Sequence, residues 1–285
     1  MCAARSRPLA IIALFLLAAP LGLLSWWASR PKQTAAPAKS QSAESLPKEV
    51  QSLLADFRAS DWTTVYRAKD QLESQQRVVI PALLQMLDED VAVPLTKTAD
   101  LIYPGAKEFY GHGWFIDYDL DYLPARAGWA LEEVSFCDFG FGEASILERR
   151  LPKSVISGRQ DVTLAVVNPA TLGPVRRRAR IATAIAAAKQ WWTKEEATWT
   201  RYGAVKQALQ NNDASRQSRA IEWIRYGRTG CEGLSPESFA RDLRPIVNSL
   251  ANSEHEGVRN QASLLLRDDE AWWWKYKTDP ELARW

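Results

Sequence analysis

The densest group of chemically reactive side chains lies in the segment 108–133, EFYGHGWFIDYDLDYLPARAGWALEE. It contains one of the chain's two histidines, His112, followed by three aspartates at alternate positions, Asp117, Asp119 and Asp121. A histidine beside carboxylates is a combination that general acid–base catalysis uses. Alternate aspartates also begin the calcium loop of EF-hands. The segment therefore raises a catalytic and a metal-binding hypothesis.

The spacing of the aspartates does not fit an EF-hand. A loop that began at Asp117 would need glycine at its sixth position and glutamate at its twelfth, whereas Tyr122 and Gly128 stand there. The period of two instead predicts an extended segment with the three carboxylates on one face. Its other face would carry Ile116, Tyr118, Leu120 and Tyr122. We expect no metal ion and no other cofactor, and a calcium site of another layout is the alternative.

Catalysis finds little further support in the sequence. Spacing assigns no partner to His112, and the other histidine, His255, lies in the polar turn SEHEG, where we expect it to be solvated. Motifs for serine nucleophiles, phosphate loops, zinc peptidases and dinucleotide sites are absent. We therefore predict no catalytic residues. A hydrolase centred on His112 and the row Asp117–Asp121 is the weakest of the functional alternatives.

Charge and composition narrow the class of partner. The chain has 285 residues, 46% of them hydrophobic, and 36 basic against 34 acidic residues give a net charge of +2. This balance argues against a nucleic-acid partner, which needs a clustered basic surface. The basic run VRRRAR at 175–180 is expected to form a solvated helix face. The 13 tryptophans suit either a helical core or surfaces where rings stack on a ligand.

The N-terminal region predicts a membrane anchor. A short basic segment, 1–7, precedes an uncharged apolar run, 8–28, that is long enough to span a bilayer, and a linker rich in Ala, Ser and Pro follows at 29–47. We expect a single-pass signal-anchor in the cytoplasmic membrane of a bacterial-type envelope, with the C-terminal domain outside the cytoplasm, in the periplasm. Secretion after signal cleavage is the alternative. Outside the membrane, Cys137 and Cys231 would either pair or remain free thiols.

Amphipathic helices with short linkers dominate the remainder, 48–285. Two helices in 48–74 are separated by a predicted N-cap, Asp61, and a third follows in VVIPALLQMLDED. Near the C-terminus, two more helices flank the turn around His255. The residues predicted to face the core are Val50, Leu53, Leu54, Phe57, Val65, Ala68, Leu72, Val79, Leu83, Leu84, Leu87, Leu243, Ile246, Val247, Leu250, Val258, Ala262 and Leu265.

The C-terminal helix pair resembles a HEAT repeat, of the armadillo type of helical repeat. The resemblance is carried by a proline early in the first helix, a short acidic turn, and then Val-Arg-x-x-Ala and a leucine. The matching residues are Pro245, Leu250, Val258, Arg259, Ala262 and Leu266. Weaker copies place the marker arginine at Arg67, Arg126, Arg176 and Arg219. The last two intervals, 43 and 40 residues, fall within the period of such repeats.

The resemblance implies a mainly α fold, either a HEAT-like solenoid or an array of helical hairpins. An irregular loop insertion is expected at about 91–123, and it could contain a short β-hairpin. A second irregular segment, 136–174, contains a candidate strand, DVTLAVV. The resemblance also implies scaffolding of another protein without catalysis. The candidate binding residues are His112, Trp114, Asp117, Asp119, Asp121, Trp191 and Trp192. The alternative is a carbohydrate- or cell-wall-binding module that uses exposed tryptophans. The second cluster, Trp272–Trp274, is expected to cap the last repeat.

Overall fold

The chain folds mainly into α-helices, as the hydrophobic periodicity predicted. A computed structural model describes residues 46–106, 114–145, 149–150, 165–166, 172–226 and 232–267. The helices are α1 (Lys48–Phe57), α2 (Trp62–Ser74), a 3₁₀ turn (Gln76–Val79), α3 (Ile80–Met86), α4 (Leu123–Ser135), α5 (Phe141–Ser145), α6 (Gly173–Glu195), α7 (Arg201–Gln210), α8 (Ala214–Tyr226), α9 (Pro236–Ser238), a π-helical turn (Phe239–Leu243), α10 (Arg244–Leu250) and α11 (Glu256–Arg267). The strands are β1 (Leu101–Ile102), β2 (Trp114–Phe115), β3 (Arg149–Arg150) and β4 (Ala165–Val166).

The first three helices form where the apolar spacing placed them. All four apolar residues predicted for α1 are buried, and so are those of α2 and α3. The side chain of Asp61 accepts a hydrogen bond from the backbone N–H of Thr64 at 3.0 Å, so the predicted N-cap of α2 is confirmed. The C-terminal pair agrees as well. Its predicted core residues are buried, apart from a half-buried Ile246, and His255 is exposed in the turn.

Neighbouring helices pack against each other in pairs along the sequence. The pairs are α1 with α2, α3 with α4, α5 with α6, α7 with α8, and α10 with α11. Contacts between pairs join α2 to α4, α4 to both α6 and α7, α7 to α10, and α8 to α11. The apolar faces of these helices form one hydrophobic core that extends from α1 to α11. Helix α4 is central to it, because twelve of its thirteen residues are buried.

The prediction of a β-hairpin in the insertion is wrong, because the two strands there do not pair antiparallel. Strands β1 and β2 are parallel, with Leu101 opposite Trp114, whereas a hairpin requires antiparallel strands. The backbone N–H of Trp114 donates to the carbonyl of Asp100, and that of Ile116 donates to the carbonyl of Ile102. These bonds fix the parallel register. In the second irregular segment, β4 lies inside the predicted strand DVTLAVV and pairs antiparallel with β3.

The aspartate row does not form the predicted extended segment with two faces. The chain leaves β2 after Phe115 and turns back before α4, and the N–H of Tyr122 donates to the carbonyl of Asp119 at 3.1 Å. Residues from both predicted faces are buried, among them Asp119, Leu120 and Asp121. The predicted alternation of an acidic and an apolar face is absent because Asp119 and Asp121 have hydrogen-bonding partners inside the protein and are buried with the apolar residues.

Helix α6 buries a different face from the one that the repeat pattern predicted. Val175 is 79% exposed, and the small residues Ala179 and Ala182 are also exposed. The buried residues of α6 are Arg177, Ile181, Ala184, Ile185, Ala188 and Trp192. The predicted marker Arg176 is on the solvent side. Its neighbour Arg177 is the buried arginine, because it has a buried carboxylate to pair with.

The described residues belong to one compact unit, Gln41–Trp285. Among them, no helix has both the length and the apolar character needed to cross a membrane. The predicted anchor at 8–28 and most of the linker at 29–47 lie outside the described residues, as do His112, Cys231 and Trp272–Trp274.

Candidate functional site

A cleft of about 1040 Å³ lies between the insertion and three helices. One wall comes from α2 and α4, a second from β2 and the residues after it, and a third from α8, and the turn between α4 and α5 closes one end. The lining residues are Tyr66, Lys69, Trp114, Phe115, Ile116, Asp117, Tyr118, Trp129, Glu132, Glu133, Phe136, Asp138, Gly142, Glu143, Ser215, Ser218, Arg219, Glu222, Trp223 and Tyr226.

A row of aromatic rings runs along the wall formed by α2, α4 and β2. The ring of Trp114 meets Tyr66 edge-on at a centroid distance of 5.2 Å, and Tyr66 contacts Trp62 at 5.4 Å. Trp62 stacks on Trp129 at 6.2 Å, and Trp129 contacts Tyr118 at 6.4 Å. The row becomes more exposed toward its end, where Trp114 is 61% exposed. Trp114 is therefore the ring of this row that is most accessible to a molecule in the cleft.

Helix α8 supplies the opposite wall with one of its faces. Its lining residues recur at helical spacing: Ser215, Ser218 and Arg219, Glu222 and Trp223, and Tyr226. The other face of α8 buries Ala220, Ile221 and Ile224 in the core. The last ring of the wall, Tyr226, is 49% exposed.

Among the described residues that line the cleft, six carry carboxylates and two carry basic side chains. The two basic groups both approach the same carboxylate. Lys69 Nζ lies 3.7 Å from Glu133 Oε2, and Arg219 Nε lies 3.9 Å from Glu133 Oε1. Glu143 and Glu222 are exposed, and neither forms a salt bridge within the described part of the chain. The cleft therefore carries an excess of negative charge.

Glu132 holds the closed end of the cleft together. Its Oε1 accepts the backbone N–H groups of Phe139 at 2.6 Å and Phe141 at 3.2 Å, and its Oε2 accepts the hydroxyl of Tyr118 at 2.5 Å. Burial raises the pKa of Glu132, and these three hydrogen bonds oppose the rise. The ring of Phe141 packs so closely on α4 that a Cβ at Gly128 would overlap it. Glycine at this position therefore permits α5 to sit against α4.

Two of the three predicted aspartates serve the scaffold. Asp121 Oδ1 accepts the N–H of Leu95 at 2.7 Å and the hydroxyl of Tyr103 at 2.9 Å, which ties both ends of the insertion together. Asp119 is 4% exposed, and its Oδ2 accepts hydrogen bonds from two nitrogens of Arg177, Nε at 2.9 Å and Nη2 at 2.6 Å. Burial raises the pKa of Asp119 to about 6 although Arg177 opposes the rise. Of the row, Asp117 lines the cleft.

Arg126 is the buried centre of the same scaffold. Its side chain is fully buried and donates to the carbonyl oxygens of Leu120 at 2.7 Å, Phe57 at 3.0 Å, Ala59 at 2.8 Å and Val93 at 2.8 Å. Desolvation lowers its pKa to about 10, so it remains charged at neutral pH. We call Arg126, Asp121, and the pair of Asp119 with Arg177 the insertion latch, because together they hold the insertion on α1, α4 and α6.

The predicted tryptophan pair on α6 packs inside the protein. Trp192 is 8% exposed, and Trp191 is half-buried with its ring 5.4 Å from Phe139. Both rings contact Trp199, at 6.4 Å and 6.3 Å. Trp114 is thus the predicted tryptophan that is exposed at the cleft. Cys137 is a half-buried free thiol whose pKa is raised by burial.

Several cleft residues were not predicted from the sequence. Tyr66, Trp129, Glu222 and Tyr226 come from three helices that are far apart in the chain. One signal in the sequence could have identified the α8 wall. Polar and aromatic residues recur every three or four positions along α8, beside its apolar stripe, and such a pattern indicates a second helix face that is not part of the core.

The described residues contain no group of histidine, cysteine, aspartate and glutamate side chains arranged to hold a metal ion. Comparison of the chain with protein-family models, curated proteins and solved structures finds no match.

Proposed function

We propose that this protein is a helical scaffold, anchored in the cytoplasmic membrane by residues 8–28, whose extracytoplasmic domain binds a segment of a partner protein in the acidic aromatic cleft. The observation that carries the proposal is the set of exposed rings that share this cleft. Trp114, Phe115 and Tyr226 are 61%, 44% and 49% exposed. Large apolar side chains grouped at a concave surface are typical of binding sites, and aromatic residues dominate the binding energy of protein interfaces.

The arrangement of helices supports the scaffold part of the proposal. Pairs of consecutive helices pack together, and contacts between successive pairs join helices of like position, such as α2 with α4 and α8 with α11. A HEAT-like array would also need small residues where the two helices of a pair meet. Ala262, the small residue of the C-terminal pair in the HEAT resemblance, is fully buried. Helix α6 departs from this pattern, as described above.

The walls of the cleft are held by the core, which favours recognition by a preformed surface. Lys69 is buried, pairs with Glu73, and lies 4.9 Å from the ring of Trp129. On the α8 side, Trp223 packs edge-on against Phe136 at 5.5 Å. Binding to a preformed site avoids part of the entropy cost of ordering side chains.

A site-specific crosslinking experiment tests the proposal. The photoreactive residue p-benzoylphenylalanine would replace Tyr226 in the full-length chain, expressed in its source cells. We expect a discrete crosslinked protein that is retained in alkali-washed membranes. The same residue in place of Val175, which is 79% exposed on α6 and does not line the cleft, serves as the matched control. The Trp114→Ala change should remove the crosslink at 226. Equal crosslinking from both positions, or no effect of Trp114→Ala, would contradict the proposal.

A carbohydrate-binding module is the second candidate, and the exposure of Trp114 favours it, because a free indole face also stacks on sugar rings. The same preparation separates the two candidates. A carbohydrate binder would sediment with purified cell-wall polymer in the absence of other proteins, and Trp114→Ala would abolish this sedimentation.

The structure weakens the hydrolase hypothesis. Two of the three aspartates on which it relied, Asp119 and Asp121, form hydrogen bonds within the insertion latch.

A further inference from the structure

The charge of the cleft indicates which kind of polypeptide it would take, given the proposed function. Six carboxylates line it, and its two basic side chains, Lys69 and Arg219, both lie beside Glu133. An occupant with acidic groups would face repulsion from Glu143 and Glu222, which are exposed and form no salt bridge within the described residues. An occupant with basic groups would gain from them, because complementary charge steers association and selects partners.

The aromatic walls also suit a cation. Within the protein, Lys69 Nζ already lies 4.9 Å from the ring of Trp129, and the guanidinium of Arg201 lies 4.8 Å from the ring of Trp223. Both rings belong to the cleft lining. Trp114 belongs to the same wall as Trp129 and is 61% exposed. An exposed indole is the best aromatic partner for lysine or arginine.

We infer that the cleft recognises a basic segment of its partner protein, with lysine or arginine side chains placed against the ring of Trp114 and beside the carboxylates of Glu143 and Glu222. This inference rests on the proposed function and names the chemistry of its partner. Anionic partners, including nucleic acids and phosphate-rich polymers, are disfavoured at this surface because the carboxylates repel them.

Selection from a random dodecapeptide library displayed on phage tests the inference with the full-length chain in detergent. We expect the selected peptides to be enriched in lysine and arginine and to bind about tenfold or more weakly when Glu143→Lys and Glu222→Lys are combined. The matched control combines Glu49→Lys with Glu254→Lys, two exposed acidic residues outside the cleft lining, and should leave binding unchanged. Binding should also weaken between about 0.05 M and about 0.5 M salt, because salt screens exposed charges.

The outcomes distinguish the inference from the function on which it rests. If the selected peptides are neutral or acidic, bind the charge-reversed protein as well as the wild type, and are lost with Trp114→Ala, the inference is overturned and the cleft remains a peptide-binding site. If no selected peptide depends on Trp114, the proposed function fails as well. Enrichment in basic peptides that is lost equally in the charge-reversed protein and in the matched control would also overturn the inference, since it would reflect net charge alone.

Discussion

Asp117 and Asp119 are two residues apart, yet they belong to regions with opposite properties. Asp119 lies in the insertion latch, where it is buried and bonded to Arg177. Asp117 is half-exposed and lines the cleft together with Glu143 and Glu222. In the latch, each carboxylate accepts hydrogen bonds from donors inside the protein, because buried polar groups need hydrogen-bonding partners. In the cleft, acidic groups outnumber the basic groups. The comparison shows that acidic residues in this protein occupy two environments, one bonded inside the fold and one at the surface of the cleft.

The two regions should respond differently to substitution. A group in the latch should affect the free energy of unfolding, because its loss leaves buried polar atoms without partners. An exposed acidic group in the cleft should affect binding and leave stability nearly unchanged, because surface charges contribute little to folding.

The largest effect is expected from Arg126→Met. Methionine retains most of the side-chain length but removes every donor, so four carbonyl oxygens lose a hydrogen bond, three of them on other segments of the chain. We expect the free energy of unfolding to fall by at least about 3 kcal/mol. Urea-induced unfolding of the full-length chain in detergent measures it. Arg176→Met, at an exposed arginine of α6, is the control and should change stability by about 0.5 kcal/mol or less. Equal effects of the two changes would rule out a structural role for the latch.

An effect of intermediate size is expected from the pH dependence of Asp119. Its pKa is raised from 3.8 to about 6 by burial, so the folded state holds the proton more tightly than the unfolded chain does. This stabilisation is complete below about pH 4 and is lost as the pH rises through about 6. The shift corresponds to about 3 kcal/mol at most.

The Asp119→Asn variant isolates this contribution, because asparagine does not titrate. Unfolding free energies of the wild type and the variant would be measured from about pH 4 to about pH 7. We expect the wild type to lose stability relative to the variant across this range. Parallel pH profiles would show that Asp119 has the same proton affinity in the folded and unfolded states.

The smallest effect on stability is expected from Glu222→Gln. Glu222 is exposed, and the change keeps its size while removing its charge. We expect the free energy of unfolding to change by about 0.5 kcal/mol or less, whereas binding of basic peptides should weaken about two- to fivefold. Urea unfolding and peptide titration of the same preparation give both values. A large loss of stability would place Glu222 among the structural acidic residues and would remove the contrast between latch and cleft.

The helices near both ends of the described chain were accessible from the sequence because their signals are local, whereas α5 lies in a segment that was predicted to be irregular. The apolar residues of α1 and α11 recur at the spacing that buries one face of a helix, and Asp61 caps α2 through a bond three residues away. Trp114 and Asp117 could be singled out for the same reason, since they stand in a short segment rich in aromatic and acidic residues.

Residues whose partners are distant in the chain could not be placed in this way. Asp119 and Asp121 look equivalent to Asp117 in the sequence, and their burial depends on Arg177, Tyr103 and the backbone of Leu95. Trp191 and Trp192 looked available for binding, but their rings pack against Phe139 and Trp199. A side chain's exposure is set by what packs on it, which local spacing does not encode.

By itself, the sequence determined the helical class, the apolar faces of the terminal helix pairs, and the presence of an irregular insertion, because hydrophobic periodicity and capping act within a few residues. The tertiary structure alone decided the parallel pairing of β1 and β2, the buried face of α6, and the cleft between α2, α4 and α8. These features depend on contacts between segments tens of residues apart, and on the requirement that each buried charge find a partner.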